Sequence, residues 1–379
     1  MNNKNLPIEK NDEETLTLFI GPQHPGSGHM RIIVELDGDV IIRIKPDIGW
    51  VHRAVEKIAE TKKFLQVIPL VERPMLIDAP NVNIGYVQPI EKLLGLEIPD
   101  RANYIRTILC ELSRIASHLY GLGLFGNMIG NSTVFMWSFG DREIILELAQ
   151  ELTGARLTYS FFLPGGVRAD LPEGFEKKLE KGLKYIESRI PEYMALFVEN
   201  PVTEDRLKGV GVIKREKAVE IGLTGPNLRA SGVEYDARMF GDYGAYKSLG
   251  FRPVVKQEGD CYARLLLRFG EIKASIELIR KAIAKMPKGP VMHESMKGMA
   301  RQIMLKVPEG EAFSRVEGGR GEITFFLVSN GTDKPYRLRM ISPSFRNLAG
   351  FENALIGQRL ADIPAVYGSL DYFPPEADR

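Results

Sequence analysis

Between Ile115 and Gly140 the chain carries no charged side chain: IASHLYGLGLFGNMIGNSTVFMWSFG. A membrane-crossing helix needs about twenty consecutive, predominantly apolar residues. This run is long enough, but Gly121, Gly123, Gly126 and Gly130 break up its apolar surface, and His118, Asn127, Asn131, Ser132 and Thr133 are polar. The pattern predicts one or two helices buried inside protein. If the chain works at a membrane, other subunits hold it there.

Helical periodicity surrounds that run. HRAVEKIAETKKFLQ, ANYIRTILCELSRIASHLYGLG, DREIILELAQELTG, LPEGFEKKLEKGLKYIESRIPEYMALF and DCYARLLLRFGEIKASIELIRKAIAKM all repeat apolar residues at helical spacing. TLTLFI, MRIIVEL and VIIRIK near the start have strand composition, with DGD as a turn; GEITFFLVSNG and PYRLRMISP return to strands after about residue 308. The expected fold is α+β, a helical bundle body flanked by small N- and C-terminal β regions. The expected division is a frayed 1–14, a β region 15–48 with a Gly/Pro/His loop, a helical body 49–307 with an irregular insert 205–250, a β region 308–345, and a tail 346–379.

Composition narrows the chemistry. Lys+Arg 50 against Asp+Glu 49 gives a net charge of +1, so no global field points to nucleic acid or an anionic membrane. Cys110 and Cys261 form no CxxC pair, and an all-cysteine iron–sulfur cluster needs four thiolates, which excludes one held by this chain. His24 and His29 share one loop without further metal ligands nearby; a structural hydrogen-bonding role and a substrate or proton role both stand. In WVHRAVEKI, His52 and Glu56 are expected at i and i+4 of one helix face, beside Arg53, and Glu111, Arg114 and His118 on one stripe of the next helix. Buried charges must be paired, so these sets read either as an inter-helix network or as a proton route. FSRVEGGRGEI and GLTGPNLRASGVEYDAR read as loops whose arginines either bind an acidic partner or tie the loops down by salt bridges.

Taken together, GPQHPGSGHMR, GWVHRAVEK, ELSRIASHL, PGGVRADLP, GLTGPNLRASGVEYDAR, EGGRGE and SPSFRNL resemble the large, catalytic-type subunit shared by respiratory complex I and membrane-bound nickel–iron hydrogenases, in family order from about residue 20 to Arg379. In the hydrogenase branch two CxxC pairs hold the metals. The resemblance places Met75 and Asp78 at the first pair, after the VER of residues 71–73, and Phe373 and Glu376 at the second. That set offers no thiolate, so no nickel–iron centre and no hydrogenase activity are expected. In the quinone branch a loop histidine, which His29 matches approximately, and a tyrosine recognise the headgroup. Leu76 stands at the tyrosine position and Met128 at a family carboxylate, and neither replaces the lost hydrogen bonds.

The resemblance therefore implies the third branch, archaeal ferredoxin-dependent complexes that reduce sulfane sulfur or polysulfide and couple this to sodium or proton transport. The implied catalytic residues are His24, His29, Arg73, Asp78 and Glu376, with His52, Arg53, Glu56, Glu111, Arg114 and His118 as supporting or proton-route groups. No cofactor is implied in this chain. [4Fe-4S] clusters are expected in partners: a small iron–sulfur subunit, other hydrophilic-arm subunits and membrane subunits including antiporter-like ones, fed by reduced ferredoxin at the cytoplasmic face of the membrane. No nucleic acid is expected. The alternatives are a quinone-type acceptor subunit of a complex I-like enzyme using NADH, F420H2 or ferredoxin, and a structural coupling subunit with a vestigial site.

Overall fold

The computed structural model describes residues 8–10, 15–24, 28–241 and 243–379. The frayed end expected for 1–14 lies outside the described residues except for Ile8–Lys10, which form β1. It pairs antiparallel with β2 (Thr15–Ile20), followed by β3 (Arg31–Asp37) and β4 (Val40–Asp47) in the order β1-β2-β3-β4. Along β3 alternate residues Ile32, Val34 and Leu36 are buried, as a half-buried sheet requires.

The body follows as α1 (Val55–Ala59), α2 (Phe64–Glu72), α3 (Ala79–Leu94), α4 (Asp100–Met128) and α5 (Ser132–Thr153). A two-residue hairpin, β5 (Phe162–Leu163) and β6 (Gly166–Val167), precedes α6 (Phe175–Tyr193). The segment read as irregular is a chain of short helices, α7 (Pro201–Leu207), α8 (Arg215–Glu220), α9 (Gly225–Ala230) and α10 (Tyr246–Leu249), ahead of α11 (Cys261–Lys285). After α12 (Met299–Ile303) comes the antiparallel sheet β7 (Gly310–Glu317), β8 (Glu322–Ser329) and β9 (Arg337–Ile341). The chain closes with α13 (Pro343–Leu355), α14 (Ile363–Leu370) and α15 (Pro374–Asp378).

No helix among the described residues is long and apolar enough to cross a membrane. The uncharged run is the end of α4 and the start of α5. It is buried from Ile115 to Leu119 and largely so to Gly126, but the junction and the start of α5 reach the surface, with Met136 68% exposed. The expected burial therefore holds for α4 and not for the start of α5. Its glycines have a packing reason. A Cβ on Gly123 would lie 2.3 Å from Ser138 Oγ of α5, and one on Gly121 2.8 Å from Asp371 Oδ2 of the tail. The bundle closes around α4 because these positions have no side chain. Ile41 and the 357–358 turn exchange backbone hydrogen bonds of 2.9 and 2.8 Å, joining the N-terminal sheet to the C-terminal segment.

Two local readings change. FSRVEGGRGEI is a hairpin, with Phe313–Glu317 in β7 and Glu322 opening β8; alternation in this stretch is masked by the Gly-Gly-Arg-Gly turn. His52 and Glu56 do not share a helix face. Ala54 takes a left-handed conformation (φ 52°), so α1 begins only at Val55 and His52 sits in the turn before it.

Candidate functional site

The stretch after α2 is fixed by a buried carboxylate. Glu72 accepts hydrogen bonds from the Ser160 amide at 2.9 and 3.1 Å and from its hydroxyl at 3.2 Å. Burial pushes its carboxyl up to about 8, against the pull of the Ser160 donors and Arg168. With Glu72 held inside, the next side chain, Arg73, points outward and is exposed. A single 3-10 turn, Leu76–Asp78, then delivers Asp78 to the start of α3.

Asp78 is 3% exposed and fully engaged. Its Oδ1 accepts from Asn81 Nδ2 at 2.6 Å and Ser113 Oγ at 3.4 Å, and its Oδ2 from the Gly319 amide at 2.6 Å. Gly319 belongs to the β7–β8 turn, which Arg114 of α4 grips through the Glu317 and Gly318 carbonyls, each at 2.7 Å. That turn projects Arg320 inward. The Arg320 guanidinium donates to the Asp371 carbonyl at 3.0 Å, to Asp371 Oδ1 at 3.3 Å and to Ser117 Oγ at 3.4 Å. It lies 3.9 Å from Glu376 Oε2 and covers the Phe373 ring at 5.3 Å. Glu376 also accepts from the Ser344 amide at 3.2 Å. Burial, with the nearby charges of Asp78 and Asp371, raises its carboxyl to about 7 against the attraction of Arg320. Asp78 from one end of the chain, and Phe373 and Glu376 from the other, thus gather around Arg320; Met75 is buried one turn before Asp78.

A nickel–iron centre does not fit this set. The four positions supply a thioether, two carboxylates and a phenyl ring, and both carboxylates are engaged by backbone amides. The two cysteines are free and buried elsewhere, on α4 and at the start of α11. Among the described residues no group of three or more His, Cys, Asp or Glu is arranged to hold a metal ion.

Beside this buried cluster opens a cleft of about 670 Å³. His29, His52, Arg53, Arg73 and Arg379 line it together with Trp50, Ile58, Leu70, Pro74 and Pro375. The tail shapes its wall: Asp378 accepts from the Gly49 and Val51 amides at 2.8 and 2.9 Å, and its carbonyl is 2.6 Å from His52 Nδ1. Every ionisable residue lining the cleft, among those described, is an arginine or a histidine. Leu76 is half-buried, as is Met128 at the end of α4. His24 is exposed and its backbone bridges to Gly28, but it does not line the cleft.

The remaining candidates fall elsewhere. Glu56 accepts from the Met340 amide at 2.9 Å and pairs with Arg337 at 3.2 Å and Arg379 at 3.5 Å, bracing the C-terminal sheet. Glu111, Arg114 and His118 are wholly buried in α4. Glu111 meets Arg114, Arg238, Tyr246 and Ser275; His118 meets Glu271 at 2.8 Å, and burial lowers its pKa despite that partner. Arg229 pairs with Asp236, Glu271 and Glu317. Of the two readings of the 222–238 loop, tying by salt bridges describes Arg229 and Arg238. Sequence reasoning does not single out Arg320, Asp371, Glu72 or Arg379; the signal for Arg320 is an arginine inside the glycine turn of a distinctive motif, EGGRGE.

The architecture, a helical bundle body flanked by small N- and C-terminal β-sheets, is that of the large-subunit class of hydrogenase-like and complex I proteins. The chain belongs to the family described as respiratory-chain NADH dehydrogenase, 49 Kd subunit, which matches residues 128–379. It is 40% identical over 390 residues to an NADH-quinone oxidoreductase subunit of Rhizobium etli, covering 97% of this chain and 96% of the relative. It is 42% identical over 368 residues to an NADH-quinone oxidoreductase subunit of Dehalococcoides mccartyi, covering 97% and 99%. In structure it is similar to a chain of the membrane-bound sulfane sulfur reductase, an archaeal respiratory membrane complex, with a TM-score of 0.92 and 34% identity over 98% of this chain and 100% of that one.

Proposed function

We propose that this chain is the acceptor-site subunit of a membrane-bound, ferredoxin-oxidising complex that reduces sulfane sulfur or polysulfide. The observation that carries the reading is the cleft lined by the guanidinium groups of Arg53, Arg73 and Arg379, formed where His29, Arg73 and the C-terminal tail meet. A polysulfide dianion is held there by guanidinium groups. Two electrons, delivered singly from a [4Fe-4S] cluster of a partner subunit, break one S–S bond. With one proton the products are hydrosulfide and a polysulfide dianion shorter by one sulfur. Arg73 holds the anion, His29 supplies or steers the proton, and Glu376, whose carboxyl is raised to about 7, passes protons between the buried cluster and the cleft. The membrane arm moves sodium or protons, and the chain sits on the cytoplasmic face. The similarity to the sulfane sulfur reductase chain and the lack of a hydroxyl at Leu76 support the same reading.

A second reading, a quinone-type acceptor, draws on the names of the relatives that are 40% and 42% identical. The two are separated by supplying the purified complex with reduced ferredoxin and, in turn, polysulfide, quinone and protons. The proposal expects sulfide from polysulfide as the fastest reaction. Quinone reduction without sulfide release overturns it.

A further inference from the structure

A second hollow, of about 490 Å³, lies next to the C-terminal sheet, between Arg339, Ile341, Phe345, Arg346, Arg379 and Ile221. Its ionisable side chains are three guanidinium groups. Arg346 is matched by Glu322 at 2.7 Å. Arg379 reaches Glu56 at 3.5 Å, but that carboxylate already serves Arg337 and the Met340 amide. Arg379 Nη1 is buried without a hydrogen-bond partner. Arg339 is exposed on β9 and has no carboxylate within ion-pair distance among the described residues. Between these charges the surface is apolar, with Phe345 43% exposed and carrying the Arg379 guanidinium 4.7 Å from its ring centre.

We infer that this hollow is a docking point for a segment of a partner protein that carries carboxylates around an apolar side chain. Unmatched arginines call for an anion, and arginine beside an exposed aromatic ring is the composition of protein interface hot spots. A small oxyanion would satisfy the guanidinium groups but leave Phe345, Ile341 and Ile221 in water. A protein segment meets both.

The test uses the full chain and a short fluorescein-labelled peptide of alternating glutamate and leucine, read by fluorescence polarisation. Arg339→Glu is the informative variant because it removes no intrachain ion pair and replaces a repulsion of Arg379; its melting temperature should be no lower than that of wild type. Saturable binding is expected to weaken about tenfold in Arg339→Glu, the effect of about 1.4 kcal/mol, and to weaken also in Phe345→Ala. No binding to wild type, or equal binding to wild type and Arg339→Glu, overturns the inference. Displacement of the peptide by inorganic phosphate at constant ionic strength, with Phe345→Ala binding as wild type, assigns the hollow to a small oxyanion and overturns it as well.

Discussion

Arg320 Nε stands 3.9 Å from Glu376 Oε2, where the β7–β8 turn meets the C-terminal tail. This pair joins segments 56 residues apart in sequence (376 minus 320), and Arg320 brings to that point the positive charge that Asp78, Asp371 and Glu376 surround.

Removing that cation leaves buried carboxylates without their counter-charge. Arg320→Met is expected to destabilise the chain by about 3–5 kcal/mol, and Arg320→Lys by less because a point charge remains. Urea unfolding of the purified chain measures both. A midpoint unchanged in Arg320→Met would show that the cluster does not depend on this charge.

The close approach of the turn to Asp78 makes a sharper steric prediction. A Cβ on Gly318 would lie 2.3 Å from Asp78 Oδ2, and Asp78 cannot swing away without losing Asn81, Ser113 or Gly319. Gly318→Ala should cost about 1–3 kcal/mol, while Gly331→Ala, which meets no neighbouring atom, pays only for its left-handed backbone (φ 81°). Equal Tm values for wild type and Gly318→Ala would contradict the geometry.

Glu72 gives a pH dependence of defined sign. Its carboxyl is raised to about 8 in the fold, chiefly by burial, so the folded chain binds its proton more tightly than the unfolded chain. The stabilisation is fully present below the unfolded pKa of about 4.3 and is lost as pH rises through about 8. Glu72→Gln, which mimics the protonated form, should match wild type near pH 4 and be the more stable protein above pH 8. Denaturant midpoints measured across that window check this; parallel curves for the two proteins would refute it.

For the proposed reaction, Arg73→Ala and His29→Ala should each lower polysulfide-dependent turnover about ten- to hundredfold, the range expected for one charge-assisted contact. Both side chains are exposed, so the complex should still assemble. Wild-type turnover in an assembled double variant would remove both residues from the reaction.

Much of this molecule was legible in its sequence. The uncharged run with its glycines predicts buried helix, which holds for the end of α4 but not for the start of α5, and the alternation in MRIIVEL predicts a half-buried strand, because periodicity is a local property that the backbone geometry reads directly. The absence of cysteine at positions 75, 78, 373 and 376 is likewise read from the sequence, once the resemblance has aligned it. Only the tertiary structure decided what those residues meet. No spacing rule connects Asp78 to Gly319 or Arg320 to Glu376, since long-range partners depend on how the helices around α4 close. The left-handed turn at Ala54 separated His52 from Glu56 although their spacing suits a helix. Burial, equally, is a property of the packed chain: it made Glu72 an internal acid and left its neighbour Arg73 facing the cleft.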